Sequence, residues 1–353
     1  LLVTTAIQGQ NPRQQQRPPE VPKQVLENTN IRAAFSDRGV ISLTDPQDKY
    51  KADIINSRSP WGRVKLVYRS GKGEWGELPD SVKQLKSGTS SAEFISVDKN
   101  APVTLNQRFT LNGEALDYDI TLRNTGTAPV EIGDLALFLP WRTASGENPE
   151  YIFENCFTKH HFIAGNGSFI FFTKPSGEPP FIMVLPKKGT RLEYFDGGRG
   201  GYKAYIHSSV AAGSVTSGTW RQPNTSLTLD PVKGKSEVNY GFKIKWADSW
   251  DDMRQTLYEE GLFDIRVVPG MTIPTDLAAT FSLHTKNKID SIVPEFPEKT
   301  TIKFLGEKQP GHLVYNVSFA RLGENMLTVW YGNGQKTYLE FFSTEPLETL
   351  VKK

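Results

Sequence analysis

One hairpin constrains this chain more than any other feature. Arg108-Phe109-Thr110-Leu111 meets Leu116-Asp117-Tyr118-Asp119-Ile120-Thr121-Leu122 across Asn112-Gly113, and both arms alternate apolar with polar residues. A two-residue period places one face of a strand in a core and the other in water, whereas a helix would need a period near 3.6 residues to do so. Similar units recur. Ile31 to Phe35 passes through Asp37-Arg38-Gly39 into Val40 to Leu43, and Val64 to Tyr68 alternates before Ser70-Gly71-Lys72-Gly73, with the return starting at Trp75. Further strands are predicted at 130–139, 168–173, 181–185, 191–195, 226–229 and 238–246. The 30 glycines and 23 prolines are spread along all 353 residues, which favours many short strands over helical bundles. Two stacked sheets fit this count.

One helix interrupts the strands. Ser249 is placed to cap it with an acid three residues on, Trp250, Met253 and Leu257 fall on one face, and Gly261 ends the run. It is expected to pack on the sheets and close a first domain spanning 25–270. After Pro269-Gly270 and Pro274, short strands resume without a helix signal. They include a hairpin from Leu327 to Phe341 turning at Gly332-Asn333-Gly334, which is consistent with a small immunoglobulin-like β-sandwich over 271–343. From Thr344 to Lys353, a proline in the first turn with acids on either side of it reads as the start of a helix leading into a further domain outside this sequence.

The first ten residues, LLVTTAIQGQ, read as the tail of a signal-peptide core, or else as a disordered remnant. Asn11 to Gln24 carries four prolines and four glutamines with almost no apolar content, so 1–24 is expected to act as leader and tether. Export to the periplasm or cell surface is the corresponding expectation. No segment approaches the roughly 20 apolar residues of a membrane span. The net charge of +2 is already supplied by Arg13, Arg17 and Lys23 against Glu20, leaving a neutral body with no basic stripe, which argues against a nucleic-acid partner. The single cysteine, Cys156, excludes an internal disulfide framework, and the five histidines show no zinc-ligand spacing. No metal or cofactor is expected.

The segment 139–172 gathers the candidate site. Trp141 and Arg142 follow a proline, Tyr151 and Phe153 flank a polar loop, and His160 and His161 lead into a strand that turns at Asn166-Gly167. Aromatic faces suit the C–H side of a sugar ring, and Arg, Asn and His supply directed hydrogen bonds. Trp141, Arg142, Tyr151, His160 and Asn166 are therefore the candidate substrate-binding residues. A core-filling inter-strand loop has the same composition, a strand-end histidine is often structural, and Asn166-Gly167-Ser168 also reads as a plain turn. Trp61, Trp75 and Trp220 suit either a saccharide groove or the core. Glu345 and Glu348 have helical spacing, but helix starts attract acids for dipole reasons alone.

The opening NIRAAFSDRGVISL hairpin and SRSPWGRVKLVYRSGKGEW resemble the antiparallel supersandwich of the galactose-mutarotase-like superfamily. HHFIAGNGSFIFFTKPSGEPPF, RLEYFDGG and RLGENMLTVWYGNGQKTYLEFFSTEPLETLVKK are similar to the N-terminal part of a family of large exported Bacteroidetes proteins of unknown function, associated with polysaccharide lyase family 27, the rhamnosyl-glucuronate lyases acting on arabinogalactan. The resemblance runs from Val25 to Lys353. It implies an all-β fold, supersandwich then small sandwich, supporting a downstream helical (α/α) toroid that holds most of the catalytic groups. It also implies a polysaccharide substrate. Abstracting the proton beside a uronate carboxylate needs a base such as His or Tyr and cations that stabilise the enolate. The resemblance favours His160 of the two histidines, for substrate contact before base catalysis. The alternative is a non-catalytic carbohydrate-binding or surface-interaction module, or the N-terminal module of a glycoside hydrolase.

Overall fold

The computed structural model of the chain describes residues 20–352 apart from 56–58, 80–82, 97, 99, 142–147, 198–201 and 219. The anticipated hairpin is present as Val103–Asn112 and Ala115–Asn124, where the pairing of Asn112 with Ala115 leaves Gly113 and Glu114 as the turn. Gly113 takes φ of 58°, a conformation glycine reaches without a Cβ clash. Directly opposed across the two strands, Phe109 and Tyr118 stack with ring centroids 4.4 Å apart. Trp61 meets both rings edge-on, at 5.2 and 5.1 Å. This aromatic knot lies at the centre of the largest core.

Two antiparallel sheets enclose that core. The eight-stranded sheet runs Thr158–Phe162, Phe169–Thr173, Phe181–Pro186, Glu237–Ala247, Ala115–Asn124, Val103–Asn112, Ser91–Ser96, Lys83–Ser87. The six-stranded sheet runs Tyr194–Asp196, Tyr202–Ser208, Val130–Leu139, Val64–Ser70, Gly76–Glu77, with Leu227–Leu229 paired to Val130–Leu139. Leu66, Leu135, Leu137 and Ile206 from one sheet and Phe109, Ile120, Leu122 and Ile244 from the other are fully or almost fully buried in the same cluster. This is the supersandwich. A third sheet of Gln24–Glu27, Arg32–Ser36 and Gly39–Thr44 adds Phe35, which packs on Phe94 and Phe109. Its turn requires glycine, because a Cβ on Gly39 would stand 2.1 Å from the Trp61 carbonyl oxygen.

That third sheet shortens the expected tether. Glu20 bonds Ser36 and Arg38, and Gln24 both starts a strand and donates its side-chain amide to the carbonyls of Gly88 (2.8 Å) and Ser91 (2.9 Å). Low apolar content does not free residues whose backbone and side-chain groups find partners on an existing sheet edge. The remainder of the expected leader and tether, residues 1–19, lies outside the described residues.

The helix Trp250–Glu259 follows as anticipated, with the Ser249 hydroxyl accepting from the Asp252 amide at 3.0 Å. Met253 and Leu257 are buried against Phe181, Met183 and Leu185 on the outer face of the eight-stranded sheet. Trp250 sits at the rim, its ring 4.7 Å from that of Phe181.

Beyond this helix lies a second sandwich of two four-stranded sheets, Asp264–Val268, Ala279–His284, His312–Phe319, Thr300–Gln309 and Thr272–Pro274, Gln335–Thr344, Gly323–Tyr331, Ile289–Pro294. Its core holds Phe263, Phe281, Leu327, Leu339 and Phe341. The Gly332-Asn333-Gly334 turn has positive φ at all three residues. Asp264–Val268 pairs with Ala279–His284, so this sandwich recruits a strand upstream of Pro269, where residue type alone suggested the break. The fold is all-β, a large supersandwich followed by a small immunoglobulin-like one with a short helix between them. Three further α-helices are present among the described residues. Pro149–Asn155 was expected as loop, but Asn148 accepts from the Tyr151 amide at 2.7 Å and Pro149 fills the first turn. Ser209–Gly213 follows a strand of the six-stranded sheet, and Leu347–Lys352 lies near the end of the chain.

The sandwiches are docked. The Asn166 amide donates to the Lys336 carbonyl (2.9 Å) and the Lys336 amide donates to Asn166 Oδ1 (3.2 Å). A Cβ on Gly167 would lie 2.4 Å from Thr337 Oγ1, so glycine permits the close approach. Arg221 reaches from the first sandwich to Glu295 and, at 2.7 Å, to Glu324 of the second.

Candidate functional site

Of the five expected substrate-binding residues, the four that lie among the described residues do not converge. Trp141 is 3% exposed, its ring 4.0 Å from that of Phe172 and 5.8 Å from that of Trp61, so it belongs to the core and offers no face to a sugar. Arg142 lies outside the described residues. Tyr151 sits on the short Pro149–Asn155 helix, half-buried. The polar groups of Asn166 are engaged with the second sandwich, which makes it a docking residue.

The two histidines are separated by strand geometry. Side chains alternate across a strand, so neighbours in Thr158–Phe162 point to opposite faces. His160 shares the outer face with Phe162, stacks on Phe171 at 4.6 Å and meets Thr173 Oγ1 through Nε2 at 3.2 Å. Burial holds its pKa below the ordinary histidine value. His161 and Lys159 turn the other way. Their cross-strand partners, Ile170 and Phe172, face the main core, but this edge strand brings them to the seam where the two sheets part. There His161 stacks on Phe195 at 4.3 Å and 13°, and the Lys159 ammonium lies on the Tyr202 ring, 4.9 Å from the Phe195 centroid. His161 is exposed, which His160 is not.

A second polar surface covers the outer face of the six-stranded sheet. Phe138 is bracketed by the Arg63 guanidinium at 4.2 Å and the Lys203 ammonium at 5.8 Å from its centroid, and Lys203 pairs with Asp196. One row along, Lys65 Nζ lies 2.9 Å from Asp134 Oδ2 and 5.6 Å from the Tyr205 ring. Tyr205, Tyr194 and Trp220 continue the row at 5.4 and 4.6 Å. Asp134 is fully buried and also accepts the Val210 and Ala211 amides at 3.0 Å each. Burial alone would depress Lys65, yet the Asp134 carboxylate holds its pKa above the ordinary lysine value. At the far end Arg69 pairs with Glu131 at 2.7 Å and lies 4.2 Å from the Trp75 ring. Aromatic rings with fixed cations between them suit a polar ligand carrying C–H faces. Of the three tryptophans singled out in the sequence, Trp61 is core, while Trp75 and Trp220 line this face. Neighbouring strands that are distant in sequence assemble the rows, leaving no local signal beyond alternation. Glu345 and Glu348 do not form a pair on one helix, since the helix is Leu347–Lys352 and Glu348 bonds Lys352.

A third cluster of titratable side chains lies inside the supersandwich, joining residues with no local pattern in the sequence. Glu193 is 0% exposed and accepts from Ser208 Oγ (3.0 Å), the Thr225 amide (2.8 Å) and the Thr225 hydroxyl. Because Thr225 gives its hydroxyl proton to Glu193, His207 Nδ1–H donates to Thr225 Oγ1 (2.9 Å), and His207 Nε2 accepts from the Tyr240 hydroxyl (2.6 Å). Arg191 also donates to Thr225 Oγ1, at 2.9 Å. Burial, then Arg191, push the His207 pKa down to about 4. The His–Tyr pair has lyase-like residue types, but its groups bond one another inside the sandwich and present no open face. Among the described residues, no group of three or more His, Cys, Asp or Glu side chains could hold a metal ion. No helix among them is long and apolar enough to cross a membrane.

Known structures place this architecture. A solved polysaccharide lyase superposes with a TM-score of 0.66 at 12% identity, over 92% of this chain and 47% of its own, which shows a shared fold. This chain therefore spans about half the length of that lyase. A putative aldose 1-epimerase of Escherichia coli matches at a TM-score of 0.36 and 10% identity, over 63% of this chain and 98% of its own. A 4-alpha-glucanotransferase of Thermococcus litoralis matches at 0.34 and 6%, over 63% and 37%. Comparison with curated protein sequences finds no match. The profile of one family, described as a family of unknown function (DUF5695), matches residues 42–353, and the chain belongs to that family.

Proposed function

We propose that this chain is the β-rich portion of an exported polysaccharide-degrading enzyme, a lyase acting on uronate-containing glycans such as arabinogalactan. On this reading the supersandwich and the small sandwich that begins at Asp264–Val268 form two β-modules, and the principal acid, base and enolate stabilisers belong to a helical toroid downstream in the same polypeptide. The observation that carries the reading is the outer face of the six-stranded sheet, where Phe138, Tyr194 and Trp220 offer rings beside Arg63, Lys65 and Lys203. The polysaccharide lyase whose fold is shared along 92% of this chain supports it, as does the sequence resemblance to polysaccharide lyase family 27. A carbohydrate-binding module without chemistry is the second reading. It is favoured by the burial of His207 and Tyr240, which removes the most lyase-like pair from contact with a polymer.

Affinity electrophoresis in arabinogalactan, together with ultraviolet detection of unsaturated uronate, tests the proposal. The chain alone is expected to be retarded by the polymer and to release no unsaturated product. Mobility unchanged by any uronate-bearing glycan sinks both readings, and steady product release by the chain alone shows that the catalytic groups lie within it.

A further inference from the structure

The seam between the two sheets of the supersandwich holds a cation, Lys159, that has no counter-charge among the described residues. Among the described residues Lys159 has no ion-pair or hydrogen-bond partner, only aromatic rings. Its ammonium rests on Tyr202 and near Phe195, with His161 stacked beside it. The acid next to Phe195, Asp196, is held by Lys203 on the other face of the strand. An inward-pointing lysine on an edge strand also blocks edge-to-edge association, and that role accounts for a charge at this position. It does not account for an exposed histidine laid flat on the aromatic ring that the lysine shares.

We infer that Lys159, His161, Phe195 and Tyr202 form an anchoring subsite for a carboxylate-bearing sugar, a hexuronate. The carboxylate supplies the charge partner that Lys159 lacks, and the C–H face of the ring rests against the exposed His161 imidazole. The inference rests on the proposed binding of a uronate-containing glycan and assigns the residues that hold its carboxylate and ring face. Burial also draws the Lys159 pKa down to about 8, so the ammonium is charged at neutral pH and discharges where an ordinary lysine stays protonated. The other groups facing it are His161, which burial and then Lys159 hold below the ordinary histidine value, and Tyr202. Asp196 and Lys203 lie behind them, and His160 lies on the opposite face.

Binding of glucuronate-bearing arabinogalactan is compared with binding of the same polymer after carboxyl reduction. Wild type is expected to prefer the acidic polymer by about tenfold, a preference worth one power of ten in Kd. Lys159→Met should abolish that preference while binding the reduced polymer as wild type does, and Lys159→Arg should keep it. The wild-type preference should fade as pH rises through about 8, whereas in Lys159→Arg it should persist. Should Lys159→Met not fold, His161→Ala, which alters the exposed ring alone, is expected to weaken binding of both polymers. Equal wild-type affinity for the two polymers overturns the inference while leaving carbohydrate binding intact. So does an undiminished preference in Lys159→Met, which marks the lysine as an edge guard only. Failure to bind either polymer overturns the inference together with the functional reading beneath it.

Discussion

The buried cluster of Glu193, Thr225, His207 and Tyr240 and the outer face bearing Phe138, Lys65 and Lys203 are built from similar residue types and behave oppositely. In the first, each polar side chain is consumed by another. Glu193 takes three hydrogen bonds, and both nitrogens of His207 are engaged. On the second, two cations lie over the Phe138 ring, which remains half-exposed. A histidine beside a tyrosine is therefore no sign of a site by itself. What distinguishes a binding surface is the interaction capacity left over after the fold has used its share, because a buried polar group without a partner is costly and is rarely tolerated.

Variants on the two sides of this contrast should fail differently. The largest effect is expected from Trp141→Ala, which removes a core ring packed on Phe172 and Trp61 and should cost about 3–5 kcal/mol of stability. Chemical denaturation measures it. A loss below about 1 kcal/mol would mean that Trp141 is not core and restore it as a sugar platform.

Acid tests the buried cluster next. His207 is held at about 4 when folded against 6.5 when free, so the unfolded chain binds the extra proton first. Stability from this group is complete above about pH 6.5 and drains as pH falls toward about 4, by roughly 3 kcal/mol at most. Denaturation midpoints across that window should fall for wild type and fall less for His207→Phe, which carries no titrating group. Parallel pH profiles would show that His207 is protonated at little cost and so less enclosed than its bonding implies.

The smallest effect on stability belongs to the exposed face. Phe138→Ala should leave the melting temperature nearly unchanged while weakening glycan binding by about tenfold, roughly 1.4 kcal/mol. A large fall in melting temperature with binding per folded molecule retained would move Phe138 to the structural side of the comparison.

Much of the fold was legible because its signals are local. The hairpin at Gly113, the Gly332-Asn333-Gly334 turn and the Ser249 cap each depend on a few consecutive residues whose backbone preferences act without help from the rest of the chain. The helix Pro149–Asn155 has a local start signal in Asn148-Pro149, but its two aromatics are equally suited to a ligand-facing loop. The site was far less legible. Segment 139–172 does reach the seam, but through Lys159 and His161, while Trp141, Asn166 and His160 serve the core, the docking of the two sandwiches and the outer face of the eight-stranded sheet.

The amino-acid sequence by itself determined that this chain is a succession of antiparallel strands with one capped helix, since alternation, turn residues and capping are properties of neighbours. It also determined that His160 and His161 must part, because adjacent strand residues always do. Only the tertiary structure decided which of the two meets solvent. That choice depends on Phe195 and Tyr202 arriving from another sheet, and on Thr158–Phe162 being an edge strand rather than an inner one. In the same way, Glu193, His207, Thr225 and Tyr240 come from four separate stretches of the chain. Their partnership is a matter of sheet stacking, which no local preference encodes.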